Sequence, residues 1–116
     1  MRSLLLVLFV AVTALAQGVT IKTVEWNVDQ AGDGQRIRGR IVLSAPSPTD
    51  TKVIFEPTFH LEMPTIVPIA AGQTMVEFPV KVVDNRFISG GTPDVPTVTA
   101  LFNGQLWEGP GPVVRN

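Results

Sequence analysis

A two-residue alternation of apolar and polar side chains near the middle of the chain most constrains its fold. In "MVEFPVKV", Val76, Phe78, Val80 and Val82 occupy every second position. Successive side chains of a β-strand point to opposite faces, so these four residues share one face. The stretch therefore predicts a strand whose apolar face, with Phe78, joins a core while its other face meets solvent.

Similar runs recur along the sequence, and turn-forming residues separate them. They cover 19–28, 36–44, 51–56, 66–70, 97–102 and 105–109. Beyond residue 16, no long window shows the three- and four-residue apolar spacing of a helix, and prolines interrupt most stretches. The pattern predicts an all-β fold, an antiparallel two-sheet sandwich of about seven strands.

Two features predict local irregularities in the strands. The alternation in 19–28 changes phase midway, which requires a bulge or a kink, and a strand that bends from one sheet to another is one interpretation. Pro79 lies on the outward face and cannot donate a ladder hydrogen bond. Either its partner strand has ended there or a bulge intervenes, and the proline-broken segment before it favours the first.

Two further features predict close contacts and turns. Gly39 falls on the inward side of the strand in 36–44, so it leaves room for a large neighbour or marks a bulge. Asn103-Gly104 separates two strand runs, and a type I′ hairpin turn needs positive φ at both positions. We therefore expect a tight hairpin at this dipeptide.

Composition limits the chain to one domain without covalent cross-links. The sequence has 116 residues and no cysteine, so residues 17–116 must be held together by their core. Arg2 lies within residues 1–16, so residues 17–116 contain eight basic and ten acidic residues. Because a nucleic-acid binder needs a basic field, this balance predicts no nucleic-acid partner.

Arg36, Arg38 and Arg40 share one face of the strand in 36–44. Two interpretations stay open: an anion-binding site, or a solvated strand face with acidic neighbours across the sheet. Exposed charges on a sheet face are ordinary, so we favour the second.

Three segments in order resemble the bacterial immunoglobulin-like repeat domains of secreted and cell-surface proteins. They are "VLSAPSPTDTKVIF", "VPIAAGQTMVEFPVKV" and "TVTALFNG", and the resemblance covers about residues 37 to 107. It implies an Ig-like β-sandwich, although this chain carries a single copy. "AAGQTMVEFPVKVVDN" is also similar to Calx-beta domains, in which a comparable strand runs into acidic calcium ligands.

The sequence predicts no metal, no cofactor and no catalytic residue. His60 is the one histidine, and with Glu62 it falls short of the ligands that zinc requires. Asp84, Asn85 and Asp94 supply too few oxygens for calcium, and Asp and Asn are common turn formers. No serine lies in a Gly-x-Ser-x-Gly setting, and no phosphate-binding loop is present.

Three aromatic residues are the candidates for contact with a partner. Phe59 and Phe87 lie in loops bounded by proline or glycine, and Trp107 lies in the last hairpin with its side undetermined. We expect a secreted, non-enzymatic Ig-like binding or structural module that contacts a protein or a surface polymer. The alternative is a calcium-dependent accessory domain or a small secreted enzyme with its site in loops 56–65 and 84–96.

Residues 1–16 have the order of a secretory signal peptide. Arg2 precedes an apolar run from Leu4, and Ala14 and Ala16 occupy the small-residue positions before cleavage. The run is about a dozen residues long, which is short for a membrane span, and an uncleaved anchor is the alternative. The sequence thus predicts a secreted, periplasmic or cell-surface protein that meets the membrane only through a transient signal peptide.

We expect the mature protein to begin at Gln17, because cleavage follows the Ala14-x-Ala16 pattern. N-terminal sequencing or intact-mass measurement of the exported protein checks this. A protein that still starts at Met1 would show that the segment is retained.

Overall fold

A computed structural model describes residues 18–83 and 95–115 of the chain. The predicted signal peptide, residues 1–16, lies outside this range. All elements of the described residues are strands. They are β1 (Ile21–Trp26), β2 (Gln30–Gly32), β3 (Arg36–Leu43), β4 (Thr51–Phe55), β5 (Leu61–Glu62), β6 (Ile66–Ile69), β7 (Met75–Val82), β8 (Thr97–Phe102), β9 (Gln105–Pro110) and β10 (Val113–Arg115).

The strands form two four-stranded antiparallel sheets and one short parallel pair. The first sheet has the order β1-β3-β7-β5, and the second has the order β6-β4-β8-β9. β10 pairs with β2 in parallel. The predicted all-β fold with antiparallel sheets is confirmed.

Alternate residues from one face of each sheet belong to the same buried cluster. The first sheet contributes Ile37, Ile41, Phe78, Val80 and Val82, and the second contributes Val53, Phe55, Val98, Ala100 and Phe102. Phe78 is buried, as the alternation predicted. The polar residues between these positions consequently lie on the outer faces of the two sheets.

β1 contains the irregularity that its changing phase predicted. Its register against β3 shifts between Ile21 and Thr23, so Lys22 is an extra residue at a bulge. The bulge brings Ile21 and Val24 to the buried side despite their odd spacing. β1 stays paired with β3 on both sides of the bulge, so the strand does not cross to another sheet.

Residues with left-handed backbone form the predicted turns. Asn103 and Gly104 have φ values of 51° and 75°, and Phe102 pairs with Gln105 across them, which confirms the hairpin. Gly72, with φ of 89°, turns the chain just before β7. A side chain is disfavoured in this backbone region, which explains the glycine there.

Three short strands lie outside the runs that the alternation identified. They are β2, β5 and β10, and Val114 of β10 is fully buried. Strands of two or three residues are too short to show a period, so backbone pairing alone defines them.

The aromatic ring of Phe78 lies directly over Gly39. The two residues are register partners between β3 and β7, and a Cβ atom at Gly39 would lie 2.2 Å from the ring. Trp26 meets Phe78 edge-on at a centroid distance of 6.0 Å, and Phe55 of the second sheet approaches to 5.0 Å. The inward glycine thus makes room for a large neighbour, the first of its two predicted explanations.

We expect Gly39→Ala to lower the free energy of unfolding by about 1–3 kcal/mol, because the added methyl group overlaps the Phe78 ring. Gly32→Ala is the matched control, since its Cβ would meet its nearest neighbour at an ordinary 3.9 Å. Urea denaturation of both variants and of the parent measures the difference. Equal stability of the two variants would contradict the close packing at Gly39.

Candidate functional site

The outer face of the first sheet carries a row of arginines along its second strand. Arg36, Arg38 and Arg40 are exposed at alternate positions of β3. Lys81 of β7 is the register partner of Arg36 and is also exposed. We call the surface formed by these four residues the arginine face.

Acidic residues border this face, as one interpretation of the sequence expected. Glu77 is the register partner of Arg40 on one side, and Glu25 is its partner on the other. Glu62 of β5 pairs with Lys81. The outer face of this sheet therefore mixes both signs of charge, with the cations concentrated along β3.

The arginines remain available to a ligand despite these neighbours. Arg38 and Glu77 approach to 4.0 Å, and their side chains are 71% and 51% exposed. Such a solvated pair contributes little to stability and exchanges readily for another anion. Within residues 18–83 and 95–115, neither Arg36 nor Arg40 has a carboxylate partner within 4.0 Å.

The backbone beneath the row is held firmly. β3 is paired on both sides, with β1 and with β7. Just beyond β1, the Asn27 side-chain oxygen accepts a hydrogen bond from the Arg38 N–H at 2.9 Å, and the Asn27 N–H donates to the Arg38 carbonyl at 3.0 Å. The three guanidinium groups consequently project from a fixed base with a repeat of about 6.8 Å, two residues of an antiparallel strand.

Shallow grooves run beside the arginines. One of about 470 Å³ lies where β5 ends, between Arg36, Lys81 and Glu62. A second of about 480 Å³ lies between Asn27, Arg36 and Arg38. Both grooves are open to solvent, and besides the cations they are lined by Glu62 or Glu77 and by apolar residues such as Pro79.

The structure separates the aromatic residues predicted to contact a partner. Phe59 is 83% exposed, at the tip of a tight turn in which His60 has a φ of 69°. Trp107 is half-buried against the core, and its ring lies over Gly109. Its neighbour Leu106 takes the exposed side, at 69%. Phe87 lies outside the described residues.

The turn of Phe59 is next to one end of the arginine face. Leu61 and Glu62 pair with Val82 and Lys81, and the Val83 N–H donates to the His60 carbonyl at 3.0 Å. The sequence suggested Phe59 and the arginines separately. It did not indicate Lys81 or Asn27, because their relation to β3 depends on strand register and on a loop contact.

No described part of the chain gathers a metal site. Three or more His, Cys, Asp or Glu side chains do not converge anywhere in these residues. Asp84, Asn85 and Asp94 lie outside them, as does most of the loop 84–96. The other loop that the sequence considered, 56–65, surrounds a hollow of about 200 Å³.

Within the described residues, no helix has the length and apolar character needed to cross a membrane.

Comparison with known proteins gives a structural likeness and no sequence relative. No family model and no curated protein matches the sequence. Among solved structures, the chain is similar to the Pseudomonas fluorescens alkylpurine DNA glycosylase AlkC bound to DNA containing an abasic site analog. The TM-score is 0.46 at 15% identity, over 91% of this chain and 34% of that one, so this chain spans about a third of its length.

That protein is an enzyme bound to DNA, and the finding corrects three expectations from the sequence. They are the secreted module that contacts a protein or surface polymer, the lack of enzyme activity, and the exclusion of nucleic acid. The exclusion of nucleic acid was inferred from a nearly balanced total charge, which does not reveal a local row of cations. The likeness assigns no activity to this chain, whose function must be inferred from its own side chains.

Proposed function

We propose that this chain is a β-domain that binds the sugar–phosphate backbone of a nucleic acid through its arginine face. The observation that carries the proposal is the row of three exposed arginines on one strand, with Lys81 beside it. Guanidinium groups bind phosphate through two parallel hydrogen bonds, which makes arginine well suited to this contact. Contacts to phosphate position a protein on nucleic acid without reading sequence.

A local row of cations acts on a ligand even in a chain with a formal charge of −1. Surface potential depends on how charges are distributed, and the Debye length of about 8 Å at physiological salt limits the influence of distant acids. The arginines repeat at about 6.8 Å along β3, so an extended sugar–phosphate backbone lying along this strand can contact more than one of them.

The acidic border sets the expected strength of binding. Glu25, Glu62 and Glu77 each repel phosphate from the margins of the face and compete for the arginines. Binding must displace Glu77 from Arg38 and overcome the repulsion from the other two carboxylates, so we expect weak affinity that falls steeply with salt.

Phe59 supplies a second kind of contact in this proposal. Its ring is exposed beside the Lys81 end of the face, where a base of an unpaired strand could stack on it. Stacking on an aromatic side chain contributes about 1–3 kcal/mol per base and tolerates any sequence. The pairing of a cationic row with an exposed ring favours single-stranded over double-stranded nucleic acid.

We also propose that the two sheets stack as an Ig-like sandwich, which strand order supports. If β1, β3, β4, β6, β7, β8 and β9 are taken as strands A, B, C, C′, E, F and G, the sheets read A-B-E and C′-C-F-G. Immunoglobulin-type domains place B beside E and C between C′ and F in this way. Export through residues 1–16 remains a proposal, and under it the nucleic acid would be met outside the cytoplasm.

Replacing Arg36 and Arg40 together by glutamine is expected to weaken binding to a fluorescent single-stranded oligonucleotide. The slope of log affinity against log salt should fall by about 1.4, since each lost phosphate contact to a single strand removes ~0.7. Fluorescence anisotropy across a salt series measures the slope.

Lys52→Gln with Arg115→Gln is the matched control for that experiment, because it removes the same charge from elsewhere on the chain. The control should keep the parent's slope. If the parent fails to bind at low salt, or if both double variants lose slope equally, the arginine face is not the interface.

Phe59→Leu is expected to lower affinity for the same oligonucleotide by up to about 5- to 150-fold while leaving the salt slope unchanged, since it removes stacking and no charge. Phe59→Trp keeps an aromatic face and should retain the affinity. Fluorescence anisotropy titrations of the parent and the two variants measure these affinities. If Phe59→Leu binds as tightly as Phe59→Trp, Phe59 does not stack on a base.

A further inference from the structure

The outer face of the second sheet carries a row of aliphatic side chains that crosses all four strands. Ile66, Ile54, Leu101 and Leu106 are successive register partners along β6, β4, β8 and β9. Their exposed fractions are 52% for Ile66, 38% for Leu101 and 69% for Leu106, and Ile54 is half-buried. We call these four residues the aliphatic row.

The four residues of the row are adjacent across the sheet. A contiguous apolar patch, in contrast to single exposed apolar residues, often marks an interaction site. Strands are about 4.8 Å apart, so four aligned side chains make a stripe of roughly 15 Å. The outer face of the first sheet has charged residues at the corresponding central positions.

Charges of opposite sign flank the row on β4. Lys52 lies two residues to one side of Ile54 on the same face, and Glu56 lies two residues to the other side. Both are exposed. The Glu56 N–H donates to the Thr99 carbonyl at 3.0 Å, which continues the β4–β8 ladder as far as Glu56.

We propose that the aliphatic row is a self-association surface, on which a second copy of this chain docks face to face. The inference is independent of the proposed nucleic-acid binding, which uses the other sheet. A second copy of this chain is the partner that fits the aliphatic row, because of the symmetry of the row and the charges on β4.

A two-fold axis parallel to the row places each aliphatic residue opposite its own counterpart. The same rotation exchanges the two sides of the row, so Lys52 faces Glu56 of the second copy, and Glu56 faces Lys52 of the second copy. The β4 charges of each copy then match those of the other, as an isologous dimer requires, and Glu108 of β9 stays at the margin without an opposite charge. A two-fold axis along the strands would instead place Lys52 opposite the Asn103 turn and leave both charges unmatched.

The dimensions of the face predict a weak dimer. Four strands and about five residues of length give a surface of roughly 19 by 17 Å. That is well below the ~800 Å² that each partner contributes to a standard interface. We therefore expect association at high micromolar concentration and a monomer when dilute.

Sedimentation equilibrium of the chain from Gln17 onward, between about 10 µM and 1 mM, tests the proposal. The average mass should rise toward twice the monomer mass with concentration. Leu106→Gln should weaken dimerisation about tenfold or more, because a symmetric interface contains the change twice. Met75→Gln, at a 48% exposed position on the other sheet, is the matched control and should dimerise as the parent does.

Charge exchange tests the orientation of the axis. Lys52→Glu and Glu56→Lys should each weaken the dimer, because both place like charges opposite each other. The double variant Lys52→Glu with Glu56→Lys should restore it, since the pairs are re-formed with their signs reversed. Thermal melts confirm that all the variants stay folded.

Several outcomes would overturn the proposal. A parent that stays monomeric up to 1 mM excludes the second copy as the occupant. Dimerisation that Leu106→Gln leaves unchanged assigns association to another surface. If Leu106→Gln changes oligonucleotide affinity without changing the mass, the row belongs to a nucleic-acid surface instead.

Discussion

The fit of the Phe78 ring onto Gly39 is the contact on which the rest of this fold depends. It joins β3 to β7 at the centre of the first sheet, and it brings Trp26 and Phe55 to the same ring. Trp26 in turn donates its indole N–H to the Pro110 carbonyl at 3.1 Å, which ties β1 to the end of β9. One missing side chain thus lets strands of both sheets meet around a single aromatic residue.

The same contact determines what the outer surface presents. Because side chains alternate along β3, an inward Gly39 obliges Arg38 and Arg40 to face outward, and a one-residue slip would bury them. The cationic surface is therefore fixed by packing on the opposite side of its own strand. Core and candidate site cannot change register independently, which links the proposed binding activity to the stability of the domain.

How far the sequence predicted the structure depended on the kind of signal. Alternation identified the long strands, and the Asn103-Gly104 turn and the β1 bulge followed from backbone and parity rules. The short strands escaped notice since two or three residues carry no period. The total charge did not reveal the cationic row, because it sums acidic residues from the whole chain with Arg36, Arg38 and Arg40. The aliphatic row could not be predicted from the sequence, since its residues lie far apart along the chain and are aligned only by strand register.

Proline positions in two strands bear on how this chain avoids aggregation. Pairing of β7 with β5 reaches only Lys81 and Glu62, so β7 lacks a β5 partner at Pro79. β6, one of the two edge strands of the other sheet, carries Pro68. An unpaired strand edge is a template for further strands, and a residue without an N–H interrupts that template. The two prolines therefore act as stops against edge-to-edge growth into fibres.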